Sequence, residues 1–354
     1  MSTSIVVAGA TGNLGGRIAK ALVARGASVR AIVRHGAAPD KVERLQKLGV
    51  SVASVDFSSP SQVATACSGA SCVVSALQGL RDVIVGTQAA LVEGAIKAEV
   101  PRFIPSDYSI DFTQIPPGQN RNLDLRRDFH RLLDGRPVSA TTVFCGAFAE
   151  LLTGQMPLIL FKRRRVLYWG DADQRMDFTT VGDTAVFTAS AALDPSTPRF
   201  LRIAGDQLSA RELAALAGEV TGEKFRLFRA GGLGMLGAII ALARTVAPAK
   251  RDVFPAWQGM QYMRTCSTAA PSWLRSTTIA IPVCAGRPPG TCCQRIRKAP
   301  RTEVADAMAV KSSTSVGCPA SFPIMPQGKD PIEPGSRPRT RRALAPGTAA
   351  FSQD

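Results

Sequence analysis

Three glycines near the start of the chain, Gly9, Gly12 and Gly15, recur at every third position within the heptapeptide G-A-T-G-N-L-G. They follow the apolar run I-V-V-A (5–8) and precede an amphipathic stretch that begins at Arg17. Such a turn requires glycine because its backbone must fold tightly and bring amide groups against a diphosphate at a helix N-terminus. This strand–turn–helix context favours a diphosphate-binding loop over a simple glycine turn. The predicted loop residues are Gly9, Thr11, Gly12, Asn13, Leu14 and Gly15.

The second apolar run, V-R-A-I-V-R (29–34), indicates which dinucleotide the loop would bind. An NAD site places an acidic residue about 20 positions after the glycines to hold the ribose 2′-hydroxyl. This chain has Arg34 there, and a guanidinium group can bind a 2′-phosphate with two hydrogen bonds. The sequence therefore predicts NADP(H) as cofactor, with a solvated strand-end arginine as the alternative. The remaining predicted cofactor-binding residues, which close other strands or follow them, are Lys41, Asp56, Phe57, Leu77, Gln78, Pro105 and Ser106.

These residues need a scaffold that brings the ends of several strands together. The first 110 residues alternate short apolar runs with amphipathic stretches in a β-α-β-α-β-α-β-α-β order. Runs of valine, isoleucine and alanine without polar alternation are typical of strands that are buried on both faces of a parallel sheet. We therefore predict an α/β fold, a doubly wound Rossmann domain over residues 1–150, with a small substrate-binding region over 151–263 that is interleaved with it.

Five segments resemble the NmrA-like and isoflavone-reductase-like branch of the atypical short-chain dehydrogenases. In order, they are G-A-T-G-N-L-G (9–15), V-R-A-I-V-R (29–34), V-P-R-F-I-P-S-D-Y-S (100–109), F-T-T-V-G-D-T-A (178–185) and L-S-A-R-E-L-A (208–214). The resemblance implies an NADP-binding fold with a variable substrate region. It also implies one of two functions: a reductase, or a redox-sensing regulator that has a protein partner.

The resemblance also suggests a catalytic position. The Tyr-x-x-x-Lys pair of the classical members is missing, since Phe112 stands four residues after Tyr108. The F-D-x-K motif of the reductase branch corresponds to L-D-L-R (123–126), which puts Arg126 in the lysine position. Arginine stays protonated, so Arg126 could orient a carbonyl but would shuttle protons poorly. The alternative is a structural arginine that is paired with Asp124 or Asp128.

We therefore predict hydride transfer from NADPH to a small carbonyl, enone or quinone. The rival hypothesis is an NADP(H)-binding regulator without turnover. The residues expected to line the substrate pocket are Leu77, Gln78, Pro105, Ser106, Tyr108, Arg126 and Phe148.

The net charge of +16 raises the question of a nucleic-acid partner. Half of that excess lies in residues 264–354, which hold 13 basic and five acidic side chains, 12 of the 24 prolines and five of the eight cysteines. All periodicity ends near Arg264. We interpret this basic segment as the product of a one-nucleotide frameshift and expect it to be disordered. Nucleic-acid binding, which depends on net charge alone, is therefore not expected.

The remaining features favour a cytoplasmic protein without metal or membrane partners. The chain starts with a strand-like segment and lacks a basic, apolar leader. His35 and His130 lie far apart and form no zinc-type spacing with the isolated cysteines. The apolar stretch 231–247 is shorter than the roughly 20 residues that a membrane span needs, so we expect it to pack over a pocket.

Overall fold

The chain is described from a computed structural model over residues 3–153, 158–268 and 278–280. The described residues all belong to one compact unit. The helices are α1 (Asn13–Val23), α2 (Pro39–Lys47), α3 (Pro60–Cys67), α4 (Gln88–Lys97), α5 (Arg121–Leu133), α6 (Val181–Leu193), α7 (Ala210–Thr221), α8 (Leu233–Val246) and α9 (Ala256–Cys266). A π-helical segment, Asp82–Thr87, leads directly into α4.

The strands fall into one main sheet and three smaller ones. The main sheet contains β1 (Ser4–Ala8), β2 (Ser28–Arg34), β3 (Ser51–Val55), β4 (Cys72–Ser75), β5 (Arg102–Ile104) and β6 (Ser139–Ala140). The other strands are β7 (Thr142–Phe144), β8 (Ala147–Phe148), β9 (Ile159–Leu160), β10 (Arg165–Trp169), β11 (Met176–Thr179), β12 (Phe200–Ala204), β13 (Asp206–Leu208), β14 (Arg226–Gly231) and β15 (Thr278–Ala280). The smaller sheets have the orders β14-β10-β9, β13-β11-β8 and β15-β12-β7.

The main sheet is fully parallel, with the order β3-β2-β1-β4-β5-β6. At its centre, Ile5 on β1 is in register with Val29 on β2 and with Cys72 on β4. Residues 5–8 are all completely buried, as the unbroken apolar run predicts for a strand that is covered on both faces. The predicted doubly wound α/β fold is confirmed.

Two apolar clusters cover the two faces of this sheet. On one face, Ile18 and Leu22 of α1 pack with Ala185 and Ala189 of α6. On the other, Val63, Leu91 and Phe129 of α3, α4 and α5 form the second cluster. Helix α1 follows the glycine turn directly, so its packing against the sheet and α6 sets the position of that turn.

The second half of the chain adds small sheets beside the main one. Phe178 on β11 and Leu213 on α7 are part of a separate apolar cluster. Helix α7 begins with a capping box, in which Ser209 and Glu212 satisfy each other's backbone amides. The boundary at residue 150 between a core and a substrate region stays a prediction.

The apolar stretch 231–247 mostly forms α8, which packs against α9 and buries only Leu236 and Ile240. Among the residues that the structure describes, no helix is both long enough and apolar enough to cross a bilayer. Helix α9 continues to Cys266 and buries both Thr265 and Cys266, so the expected tail does not begin at 264. Strand β15 pairs with β12, and the rest of the predicted tail lies outside the described residues.

The packing of α6 on α1 gives a stability prediction. Ala189 is fully buried where the two helices meet, so the larger side chain of Ala189→Leu would overpack the contact. We expect the free energy of unfolding to fall by about 1–3 kcal/mol. Urea denaturation measures this, with Ala215→Leu as control because Ala215 is exposed on α7. Equal stability of the two variants would contradict the packing described.

Candidate active site

The carboxyl ends of β1 and β4 meet at the centre of the main sheet. Strands β2 and β3 lie on one side of β1, and β4 to β6 lie on the other, so the strand order reverses direction between β1 and β4. Doubly wound sheets bind their ligands at this switch point. The amide of Ala76 donates to the carbonyl of Ala8 over 2.9 Å. The segments that follow β1 and β4, which are the glycine turn and Leu77-Gln78, therefore begin next to each other.

The glycine turn packs too closely for side chains at two of its positions. Gly9 has a left-handed φ of +82°, and a Cβ built on it would lie 2.5 Å from the carbonyl oxygen of Ala76. A Cβ on Gly15 would lie closer than 3.0 Å to the carbonyl oxygen of Gly9. These contacts explain the spacing of the glycines, because α1 must start directly above the end of the sheet.

The first turn of α1 offers hydrogen-bond donors to this crevice. Gly12 is the N-cap residue and provides no side-chain cap, and the amide of Gly16 is the first to bond back, to Gly12 over 3.0 Å. The amides before it have no acceptor within the helix, as at any helix start. Such amides, together with the positive end of the helix dipole, fit a diphosphate.

Sequence reasoning missed Arg17, which adds a positive charge to the same turn. Its Nε donates to Oδ1 of Asn13 over 2.8 Å. The i, i+4 spacing of the two residues was the available signal, because such pairs are neighbours on a helix surface. Predicted loop residues Thr11 and Leu14 are both half-buried.

Arg34 lies where β2 ends, beside the end of β3, since it is in register with Val55. Its side chain is exposed, and it makes no hydrogen bond or ion pair with any described residue. Lys41, near the start of α2, is also exposed and is not part of any ion pair among those residues. Two cations without carboxylate partners in the described part of the chain, one at the end of β2 and one in the helix that follows, fit an additional phosphate group.

The segment after β3 holds the next two predicted residues. Asp56 accepts a hydrogen bond from the amide of Ser58 over 2.8 Å, and hydrogen bonding by Ser58 lowers the pKa of this exposed carboxyl. Phe57 is half-buried and packs against the apolar cluster under α3. The carboxylate is thus held in a turn, and only part of the Phe57 ring is accessible.

Hydrogen bonds tie the segments after β4 and β5 together. The hydroxyl of Ser106 donates to the carbonyl of Leu77 over 2.6 Å, and its amide donates to Oε1 of the fully buried Gln88 over 2.9 Å. Pro105 is buried and Gln78 is exposed. The polar atoms of Ser106 therefore hold the segments after β4 and β5 together. Gln78 is exposed and so is open to a ligand.

Arg126 is half-buried on α5, and two backbone carbonyls orient its guanidinium group. Its Nε donates to Ser106 over 3.1 Å, and its Nη1 donates to Asn122 over 2.9 Å. Its Nη2 makes no hydrogen bond within the described part of the chain. One edge of this permanent cation thus remains available to a ligand.

The alternative ion pairs of Arg126 are not formed. Asp124 pairs with Arg127, and Asp128 pairs with Arg81 and Arg131. The expectation that a structural Arg126 would pair with one of these two aspartates is therefore wrong.

Tyr108 does not line an open pocket, contrary to expectation. Its side chain is 8% exposed and belongs to the apolar cluster around α1 and α6. Burial raises the pKa of Tyr108 far above that of a free phenol, so this hydroxyl is a poor acid or base at neutral pH. Phe148 is half-buried at the edge of the same cluster.

Comparison with known proteins gives matches in both sequence and fold. The model of the NmrA-like family matches residues 1–231. Pinoresinol reductase 1 of Arabidopsis thaliana is 30% identical over 210 residues, which cover 55% of this chain and 66% of the relative, just under two thirds of its length.

Solved structures share the fold at lower identity. One is described as AtPrR2 with NADP⁺ and (+)pinoresinol. It superposes with a TM-score of 0.65 at 22% identity, covering 77% of this chain and 91% of the other. A new type of NADPH-dependent quinone oxidoreductase from Escherichia coli has a TM-score of 0.56 at 17% identity, covering 75% and 89%. The dinucleotide in these descriptions is the one predicted from Arg34.

The crowded glycine turn gives a binding prediction. Gly15→Ala would push the start of α1 away from Gly9, so we expect dinucleotide affinity to fall at least about tenfold, the effect of losing one or two amide hydrogen bonds. Gly234→Ala is the matched control because a Cβ there would meet nothing within 4 Å. Isothermal titration of both variants measures the change, and unchanged affinity in Gly15→Ala would argue against this turn as the diphosphate site.

Proposed function

The chain belongs to the NmrA-like family, and on that premise we propose that it is an NADPH-dependent oxidoreductase that reduces a small carbonyl, enone or quinone. The observation that carries the proposal is the sheet edge at which α1 begins after β1 and Arg34 ends the neighbouring strand β2 without a side-chain partner among the described residues. The first would hold the diphosphate, and the second the 2′-phosphate.

The other residues of this edge would hold the rest of the cofactor. Lys41 adds charge near the 2′-phosphate, while Asp56 and Phe57 would flank the adenosine. Leu77 and Gln78 would border the nicotinamide, since they follow β4 at the switch point of the sheet. When bound, NADPH supplies a hydride.

Arg126 would act on the substrate oxygen by charge. As a hydride reaches the carbonyl carbon, negative charge develops on the oxygen, and a guanidinium edge can stabilise that charge with a hydrogen bond. Because the guanidinium keeps its proton, the proton that completes the alcohol would come from another donor, such as water. The buried Tyr108 is a poor candidate for this transfer.

The arginine at position 126 and the burial of Tyr108 favour a second candidate, an NADP(H)-responsive regulator that binds a protein partner and has no turnover. A site with a buried tyrosine and an arginine in the lysine position offers neither an accessible phenol nor an amine as proton donor. Both functions require cofactor binding, and only the first requires Arg126 to affect a rate.

Cofactor preference can be tested at Arg34. Removing a charge-assisted hydrogen bond costs about 1.5–3 kcal/mol, so Arg34→Ala should reduce the preference for NADPH over NADH by about 10- to 100-fold. Tryptophan fluorescence titration with both dinucleotides measures the ratio. Arg44→Ala is the control because Arg44 already pairs with Asp40 on α2. A wild-type chain that binds NADH as tightly as NADPH would refute the assignment.

Turnover can be tested at Arg126. We expect Arg126→Ala to lower kcat about 100-fold with a panel of quinones and aldehydes, the usual effect of losing a donor to a developing oxyanion. Arg126→Lys should retain part of the rate, because it keeps the charge. Arg131→Ala is the control on an exposed part of the same helix. Intact NADPH binding with no turnover in the wild type would favour the regulator.

A further inference from the structure

A buried polar cluster lies behind Arg126, between α5 and the segment after β5. Asp107 is completely buried, and its Oδ2 lies 2.6 Å from Nε2 of His130 on α5. The same oxygen accepts from the hydroxyl of Thr142 over 2.8 Å. The rings of Phe112 and Phe200 lie against His130, and Phe112 meets it edge-on with a centroid distance of 4.9 Å.

The donors and acceptors of this cluster form one consistent arrangement. Arg199 donates from Nη1 to the hydroxyl of Thr142 over 2.7 Å, and its Nη2 lies 3.4 Å from Nδ1 of His130. A guanidinium group can only donate, so Nδ1 accepts and Nε2 carries the proton that is donated to Asp107. Burial raises the pKa of Asp107, but its interactions with His130, Arg126 and Thr142 outweigh burial and keep that pKa below its ordinary value.

The cluster is mechanically connected to Arg126. Arg126 and His130 are four residues apart on α5 and so lie on one face of the helix. Arg126 holds the carbonyl of Ser106 and His130 holds the side chain of the next residue, Asp107. Two consecutive residues after β5 are thus attached to two consecutive turns of α5.

Stability alone is a weak reason for this cluster. Burying the charge of the Asp107 carboxylate costs stability unless the carboxylate is fully hydrogen-bonded, and Oδ1 of Asp107 has no hydrogen-bond partner in the described structure. What the pair does supply is a fixed distance between α5 and the carbonyl that orients Arg126. Ser106 is also held by Gln88 and Leu77, and the Asp107–His130 contact adds a link from this segment to the helix that carries Arg126.

We propose that Asp107 and His130 are positioning residues that direct the guanidinium of Arg126 into the active site. This inference rests on the function proposed above for Arg126. The residues act through Arg126 and do not touch the substrate, so their contribution exists only while Arg126 is present.

The test compares His130→Leu with His130→Gln, because glutamine keeps an N–H near the position of Nε2 and leucine removes it. Displacement of a catalytic group by about 1 Å can cost up to about 100-fold in rate. We expect His130→Leu to lower kcat by about 10- to 100-fold and to change the Kd for NADPH less than about twofold. His130→Gln should recover most of the rate. Asp173→Asn, which removes the exposed pair with Arg211, is the control and should match the wild type.

A double-mutant cycle separates positioning from general damage. In an Arg126→Ala background, His130→Leu should cause no further loss of kcat. An equal loss of kcat in both backgrounds, or a rise in KM with kcat unchanged, would overturn the proposal. Thermal melts report folding, and Asp107→Asn, which preserves volume, takes the place of His130→Leu in the cycle if that variant does not fold.

Failure of the proposed function gives a different result. If Arg126→Ala itself leaves turnover unchanged, the role of Arg126 is refuted and the positioning role with it. If Arg126→Ala is impaired while His130→Leu and Asp107→Asn are both fully active, the function stands and only the positioning role is refuted.

Discussion

The close contact between the glycine turn and the end of β4 is the constraint on which the rest of this structure depends. Gly9 passes so near the carbonyl of Ala76 that no Cβ fits, and Gly15 passes equally near Gly9. Helix α1 therefore starts directly over the sheet edge, with its first amides at the switch point between β1 and β4. A larger residue at either glycine would shift the helix, and with it every donor that the crevice presents.

The position of that helix is fixed from the other side by small residues. Ala185 and Ala189 let α6 pack closely over α1, and both are almost completely buried. Overpacking here would be transmitted to the turn because the interior is close-packed. The segment F-T-T-V-G-D-T-A (178–185), which resembles the family, contains the start of α6. This helix supports the site through α1 and lies outside the crevice.

The parts of this molecule that were predictable from sequence are those determined by local pattern. Unbroken apolar runs indicated buried parallel strands, and the spacing of the glycines indicated a tight turn between β1 and α1. The burial of Tyr108 was missed because an aromatic residue after a strand end can face either the core or the crevice. The Asp107–His130 pair was missed because its members come from segments 23 residues apart, and no periodicity links them.

The chemistry of position 126 follows from the difference between lysine and arginine. A lysine there could exchange its proton, whereas an arginine can only donate hydrogen bonds from a fixed planar group. Direction therefore matters more for arginine, since a planar donor that points wrongly contributes nothing to a developing charge. In the role proposed for Arg126, the two backbone carbonyls that hold it would orient the guanidinium group without neutralising its charge, as a carboxylate partner would.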